Sequence, residues 1–214
     1  MSDHGDHTVS LGSTRLGTGF SRQLREHLLA RMLDESRRMF AEYFAVDRAH
    51  TVMLAEQGIV TADQARQVLL ELNRIEALGP DGFSMDPAFD SFLPQIERAM
   101  TARIGEAVAG RMHTGRSRID HDAAVLRLFS RNQLLKVFDH LLACQQSILR
   151  LASQHETTLM RKTIGSIHPD ETRRMLVDCQ RRLEAHDAWR ASTRARIVAA
   201  KEALHGAVSR YTGA

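Results

Sequence analysis

From Asp120 to about Met160 the chain has neither glycine nor proline, and no proline stands anywhere between 95 and 168. Nothing in that stretch breaks a helix. One continuous helix of ~40 residues would be ~60 Å long, about twice the diameter of a small domain. Its apolar residues fall on two stripes. Val125, Leu128, Leu135, Phe138, Leu142, Leu149 and Ala152 make one, and Leu134, Leu141, Ile148 and Leu151 the other. A helix that is apolar on two sides needs partners on two sides, so the expectation is an all-α bundle completed by association.

The rest of the chain reads the same way, with no repeat and no strand pattern. The first ~20 residues, rich in Gly, Ser, Thr and His without periodicity, read as an arm that packs on something or stays mobile. From Arg22 to Gln57 apolar residues such as Leu24, Leu28, Met32, Phe40, Phe44, Met53 and Leu54 recur at three and four, predicting helix with at least one break. Gly58 stops it. Thr61 and Gln64 form a capping box for a helix from Thr61 to Leu78, with Ala65, Val68, Leu69, Leu72 and Ile75 facing inward. Gly79-Pro80-Asp81-Gly82 ends that helix, Pro87 and Pro94 mark irregular chain, and Phe92 to Val108 resumes helical spacing. Gly110 and Gly115 bracket a loop, Arg111 to Ile119. Pro169, followed by Asp170 and Glu171, opens a last helix with Leu176, Cys179, Leu183, Ile197, Ala200 and Leu204 as its core stripe and a polar middle from Glu184 to Arg196.

Composition excludes several classes. Of 214 residues, 43% are hydrophobic and 26% charged, ordinary values for a folding chain. No run approaches the ~18 apolar residues of a membrane span, and the start at Met1 lacks a secretory pattern, so the expected setting is the cytoplasm with no membrane partner. Twenty-nine basic against 26 acidic residues leave a net charge of only +3, and aromatics are 5%, too few to interleave a basic face, so nucleic acid is not an expected partner. Cys144 and Cys179 lie in apolar helical patterns and read as buried free thiols rather than a disulfide or metal site. His4, His7, His27 and His168 read as solvated, His140 and His186 as satisfied helix residues, Trp189 as a partly buried anchor, and the methionines as core.

The most concentrated polar feature is Gly110-Arg111-Met112-His113-Thr114-Gly115-Arg116-Ser117-Arg118-Ile119-Asp120. Small residues let a ligand approach the backbone, Thr114 and Ser117 can donate hydrogen bonds, and Arg118 can fork onto a carboxylate. The following helix N-terminus adds partial positive charge. The chemistry alone equally allows a solvated turn whose arginines pair with Glu106 or Asp122.

Gly110 to Arg127, above all His113-Thr114-Gly115-Arg116-Ser117-Arg118, resembles the first signature loop of argininosuccinate lyases in the fumarase/aspartase superfamily. Ala49-His50, the run Met53 to Thr61, and Ile96-Glu97-Arg98 to Ile104-Gly105-Glu106 resemble that family's N-terminal domain, so the likeness covers roughly residues 40 to 160. The resemblance implies an all-helical homotetramer with sites built from loops of three chains. It also implies a reaction that needs no cofactor or metal, in which an amine or guanidine is eliminated from a succinyl carbon and fumarate leaves. Carried over by match, His113, Thr114, Ser117 and Arg118 are substrate-binding residues: Ser117 and Arg118 touch the substrate, and His113 and Thr114 shape the loop. The implied partners are a small dicarboxylate or aminosuccinate and further copies of the chain.

Three departures stand out. Ile119 replaces the family's usual Asn, and Asp90-Ser91-Phe92-Leu93 replaces an acidic-acidic-apolar-His quartet. After Thr158-Leu159-Met160 comes Arg161-Lys162-Thr163 instead of the loop with the family's catalytic histidine; the later loop with its serine and lysine is also missing, so no catalytic residue is assigned. The segment from Gly165 to Val208 resembles the C-terminal helices of lyase relatives. The expected layout is an arm at 1–21, a helical domain at 22–112, the signature loop and long helix at 113–160, and a helical segment at 161–214. The alternative is a non-catalytic helical oligomerisation protein derived from a lyase.

Overall fold

The computed structural model describes residues 20–87, 89, 91–155 and 169–213, and among these every regular element is helical. Residues 1–19 of the expected arm, with His4 and His7, lie outside the described residues, as do Asp90, the stretch from Thr158 to Thr163, and His168. Chain contacts define two units: the described residues up to Phe129 with those from Leu204 onward, and Ser130–Ala203.

In the first unit, α1 (Arg22–Leu24) leads through a π-helical turn (Arg25–Leu29) into α2 (Ala30–Arg38). The expected break falls at Met39 (φ −101°), after which α3 (Phe40–Glu56) begins. Just before it, Ser36 donates its hydroxyl to the Met32 carbonyl, a local bond that competes with the helix ladder. Leu28, Met32 and Met53 are exposed, so this apolar list overstates the core.

Thr61 caps α4 (Ala62–Ala77) as expected: its Oγ1 accepts from Gln64 N at 3.2 Å, and Gln64 Oε1 accepts from Thr61 N at 3.0 Å. All five inward positions of α4 are buried. Gly79–Gly82, expected only as a stop, forms one helical turn, α5. The helix expected over 92–108 is two: α6 (Leu93–Ile104) and α7 (Glu106–Ala109), separated by Gly105 at φ 78°, a conformation no β-carbon tolerates well.

The core sits between α3, α4 and α6. Phe92 is its hub, with ring centroids of Phe40, Tyr43 and Phe83 at 5.5, 5.0 and 5.5 Å. Phe92, at the apolar position of the family's quartet, and Leu93, at its histidine position, are packing residues here. Leu204, Ala207, Val208 and Tyr211 complete the unit against Val52, Leu69 and neighbours.

In the second unit, the later part of α8 (Arg118–Gln154) runs antiparallel to the earlier part of α9 (Pro169–Thr212). Phe138 meets the Trp189 ring edge-on at 5.2 Å, Leu142 and Leu183 are buried, and Asp139 binds Arg190 and Arg194. The first apolar stripe of α8 is buried or half-buried. The second is not: Leu134, Leu141, Ile148 and Leu151 are 57% to 67% exposed. With Val137 and Cys144 they alternate at three and four, the spacing of a coiled-coil seam. Both cysteines are exposed free thiols, contrary to expectation, because an apolar sequence context does not bury a face that no described residue of the chain covers. Cys179 and Ala200 also fall outside the covered face of α9, whereas Leu176, Ile197 and Leu204 are half-buried.

Candidate functional site

The expected loop begins as a turn of 3-10 helix, Gly110–His113, so Gly110 is helical (φ −63°) and does not bracket a loop. Only the short bend through Gly115, at φ 68°, separates that turn from the start of α8 at Arg118. Ser117 joins them. Its Oγ accepts from Ile119 N at 3.2 Å and its carbonyl accepts from His121 N at 3.1 Å, giving α8 its N-cap.

Two helices hold this bend. Asp47 and His50 stand three residues apart on α3 and so share a face. His50 Nε2 donates to the Thr114 carbonyl at 3.0 Å, and Arg116 Nη1 donates to Asp47 Oδ1 at 2.7 Å. From α6, Glu97 Oε1 lies 2.6 Å from His113 Nδ1. Burial pushes the His50 pKa down and nearby Arg116 adds to this, against the Thr114 carbonyl, so the neutral donating ring is favoured.

His113 and Thr114 thus face inward and fasten the bend, while Ser117 and Arg118 are exposed at the head of α8. Of the loop arginines, Arg116 is the buried one; it pairs with Asp47 rather than with Glu106 or Asp122. Ile119 is 78% exposed and adds an apolar patch beside Arg118. The dipole of a 37-residue helix and the Arg118 guanidinium favour an anion at this end, and Asp120 in the first turn opposes one.

Beneath the bend lies a charged cluster that sequence reading missed. Asp47 and His121 are both 0% exposed, and the Arg116 side chain is 6% exposed. His121 Nε2 is 2.9 Å from Asp47 Oδ1, and Nδ1 is 3.7 Å from Asp122 Oδ1. Burial disfavours the charged ring, but the carboxylates of Asp122 and Asp47 outweigh it and raise the His121 pKa above 6.5. Burial likewise pushes the Tyr43 hydroxyl, 3.5 Å from Asp122, up to about 12. One signal was available: His121, Val125 and Leu128 are spaced as one helix face, which puts a histidine in the core stripe. Among the described residues no group of three or more His, Cys, Asp or Glu side chains is arranged to hold a metal ion, and no helix is long and apolar enough to cross a membrane.

No protein-family model matches the chain. Individual relatives do. The argininosuccinate lyase of Methanococcus maripaludis strain C7 is 36% identical over 136 residues, 64% of this chain and 28% of that enzyme. That of Methanococcus aeolicus is 36% identical over 154 residues, 72% and 31% respectively. The Methanosarcina acetivorans enzyme is 37% identical over 131 residues. The chain therefore spans under a third of the length of these relatives. Among solved structures, an EDDS lyase variant with bound fumarate shares the fold with a TM-score of 0.54 and 24% identity, covering 83% of this chain and 36% of that one. A second structure, EDDS lyase with formate, superposes with the same score. Over the part it shares with them the chain is similar in sequence to argininosuccinate lyases, and its fold is similar to that of EDDS lyase.

Proposed function

We propose that this chain serves a carbon–nitrogen lyase that releases fumarate from an N-substituted aspartate such as argininosuccinate, in the cytoplasm and in arginine biosynthesis. The observation that carries the reading is the fastened bend: α3 and α6 hold His113, Thr114 and Arg116 from below, leaving Ser117 and Arg118 at a helix N-terminus. In such an elimination a base takes the proton beside a carboxylate, and the negative charge that develops needs donors already in place. The Arg118 guanidinium supplies such a donor for one carboxylate. Ser117 supplies a hydroxyl beside that guanidinium. No base is assigned among the 214 residues, which lack the second-loop histidine and the flexible-loop serine of the resembling family.

A homotetramer is part of the same proposal. The exposed seam of Leu134, Val137, Leu141, Ile148 and Leu151 supports it, because so long an apolar strip is stabilised only when covered. The same seam favours the second reading, a non-catalytic oligomerisation protein. Calorimetric titration with fumarate separates the two. The lyase reading expects weak binding that Arg118→Ala weakens by about 1.5–3 kcal/mol, the worth of a hydrogen bond to a charged group. Equal behaviour of wild type and variant removes the loop from the substrate site and leaves the assembly reading. With argininosuccinate, the purified 214-residue chain is expected to form no fumarate above background.

A further inference from the structure

We propose that His121 is a positioning residue for the substrate grip: held between the carboxylates of Asp47 and Asp122, its protonated ring ties the first turn of α8 to Asp47 on α3 and so holds the bend from Thr114 to Arg118. The role assigned to that bend rests on the lyase reading above.

The geometry carries the argument. Each ring nitrogen of His121 lies within ion-pair distance of a carboxylate oxygen, Asp47 Oδ1 at 2.9 Å and Asp122 Oδ1 at 3.7 Å. Neither nitrogen makes an aligned hydrogen bond, so the pairing is one of charge, and only the protonated ring attracts both carboxylates. The charges agree. Asp47, Asp122 and Arg116 sum to −1, and a protonated His121 brings the cluster to zero in a site where both Asp47 and His121 are fully buried. The remaining titratable neighbour is Tyr43 on α3, whose ring centroid lies 5.2 Å from that of His121 and whose hydroxyl stays uncharged. Asp47 Oδ1 is shared between His121 and Arg116. Loss of the His121 proton therefore removes the ion pair that joins the first turn of α8 to α3, three residues from Arg118; the nearby Arg116 charge opposes protonation of the ring without overcoming the two carboxylates.

Amide hydrogen exchange in the full chain tests this, with protection taken relative to each amide's intrinsic rate. Protection at Thr114 to Arg118 is expected to be high at low pH and to fall as pH rises from 6.5 through the native His121 pKa. The fall is about tenfold for each unit by which that pKa exceeds its unfolded value. In His121→Gln, which keeps hydrogen-bonding groups but does not titrate, this dependence should vanish. Protection that is flat with pH in the wild type, or that titrates unchanged in His121→Gln, overturns the proposal. Should His121→Gln fail to fold, the ring resonances of wild-type His121 decide: a midpoint at or below 6.5 overturns it. Fumarate titrations at both ends of the range separate the two readings. Binding with a loop that does not titrate refutes the clasp alone, whereas a titrating loop that binds fumarate at neither pH refutes the grip and leaves the clasp standing.

Discussion

Replacing Asp47 by Asn perturbs the structure at its most expensive point. Asp47 is fully buried, Arg116 is nearly so, and a single bond of 2.7 Å joins them. Asn keeps the shape and one carbonyl oxygen but leaves a guanidinium without its counter-charge away from water. Breaking a buried pair by removing one partner costs about 3–5 kcal/mol, and the retained carbonyl argues for the lower end, about 3 kcal/mol. For a chain of this length each kcal/mol lowers the melting temperature by about 2–4 °C, so a drop of about 6–12 °C is expected. Far-UV circular dichroism of wild type, Asp47→Asn, Arg116→Met and the double variant Asp47→Leu/Arg116→Met measures it. Because apolar replacement of both partners removes the stranded charge, the double variant should be more stable than either single one. A change within about 0.5 kcal/mol for Asp47→Asn would be a surface-like response and would refute the buried-pair argument.

The two clasp histidines have opposite linkage to pH. His121, with its pKa raised, contributes stability that is complete below 6.5 and lost as pH rises through the native value, so His121→Gln should lower stability more in acid than in base. His50, with its pKa lowered, favours the native state fully above 6.5 and loses that contribution as pH falls toward the native value, so His50→Gln should flatten the acid side of the melting profile. Thr61→Ala removes the capping box of α4 and should cost about 1 kcal/mol in denaturant titration. Leu141→Lys, on the exposed seam, should abolish association in light scattering and slow no step of folding; a compact wild-type monomer at every concentration would refute the seam.

The helices and their apolar faces were legible because their causes are local. The capping box at Thr61 and Gln64, the inward positions of α4, and the two stripes of α8 follow from a period of 3.6 residues that any reader of the chain can count. The signature loop was legible as a string, His113 to Arg118, but its architecture was not. Asp47 and Arg116 are 69 residues apart, His50 and Thr114 are 64 apart, and His113 and Glu97 are 16 apart. No spacing rule links such pairs, since their meeting depends on how α3 and α6 pack around Phe92. Tertiary packing likewise decided that Arg116 turns inward to a carboxylate while Arg118 stays at the surface, two residues along the same strand of sequence. It also decided which α8 stripe would be covered. Periodicity marks both stripes as apolar, but packing covers one, Val125 in the core around Phe92 and Leu142 in the second unit, and leaves Leu134, Leu141, Ile148 and Leu151 exposed.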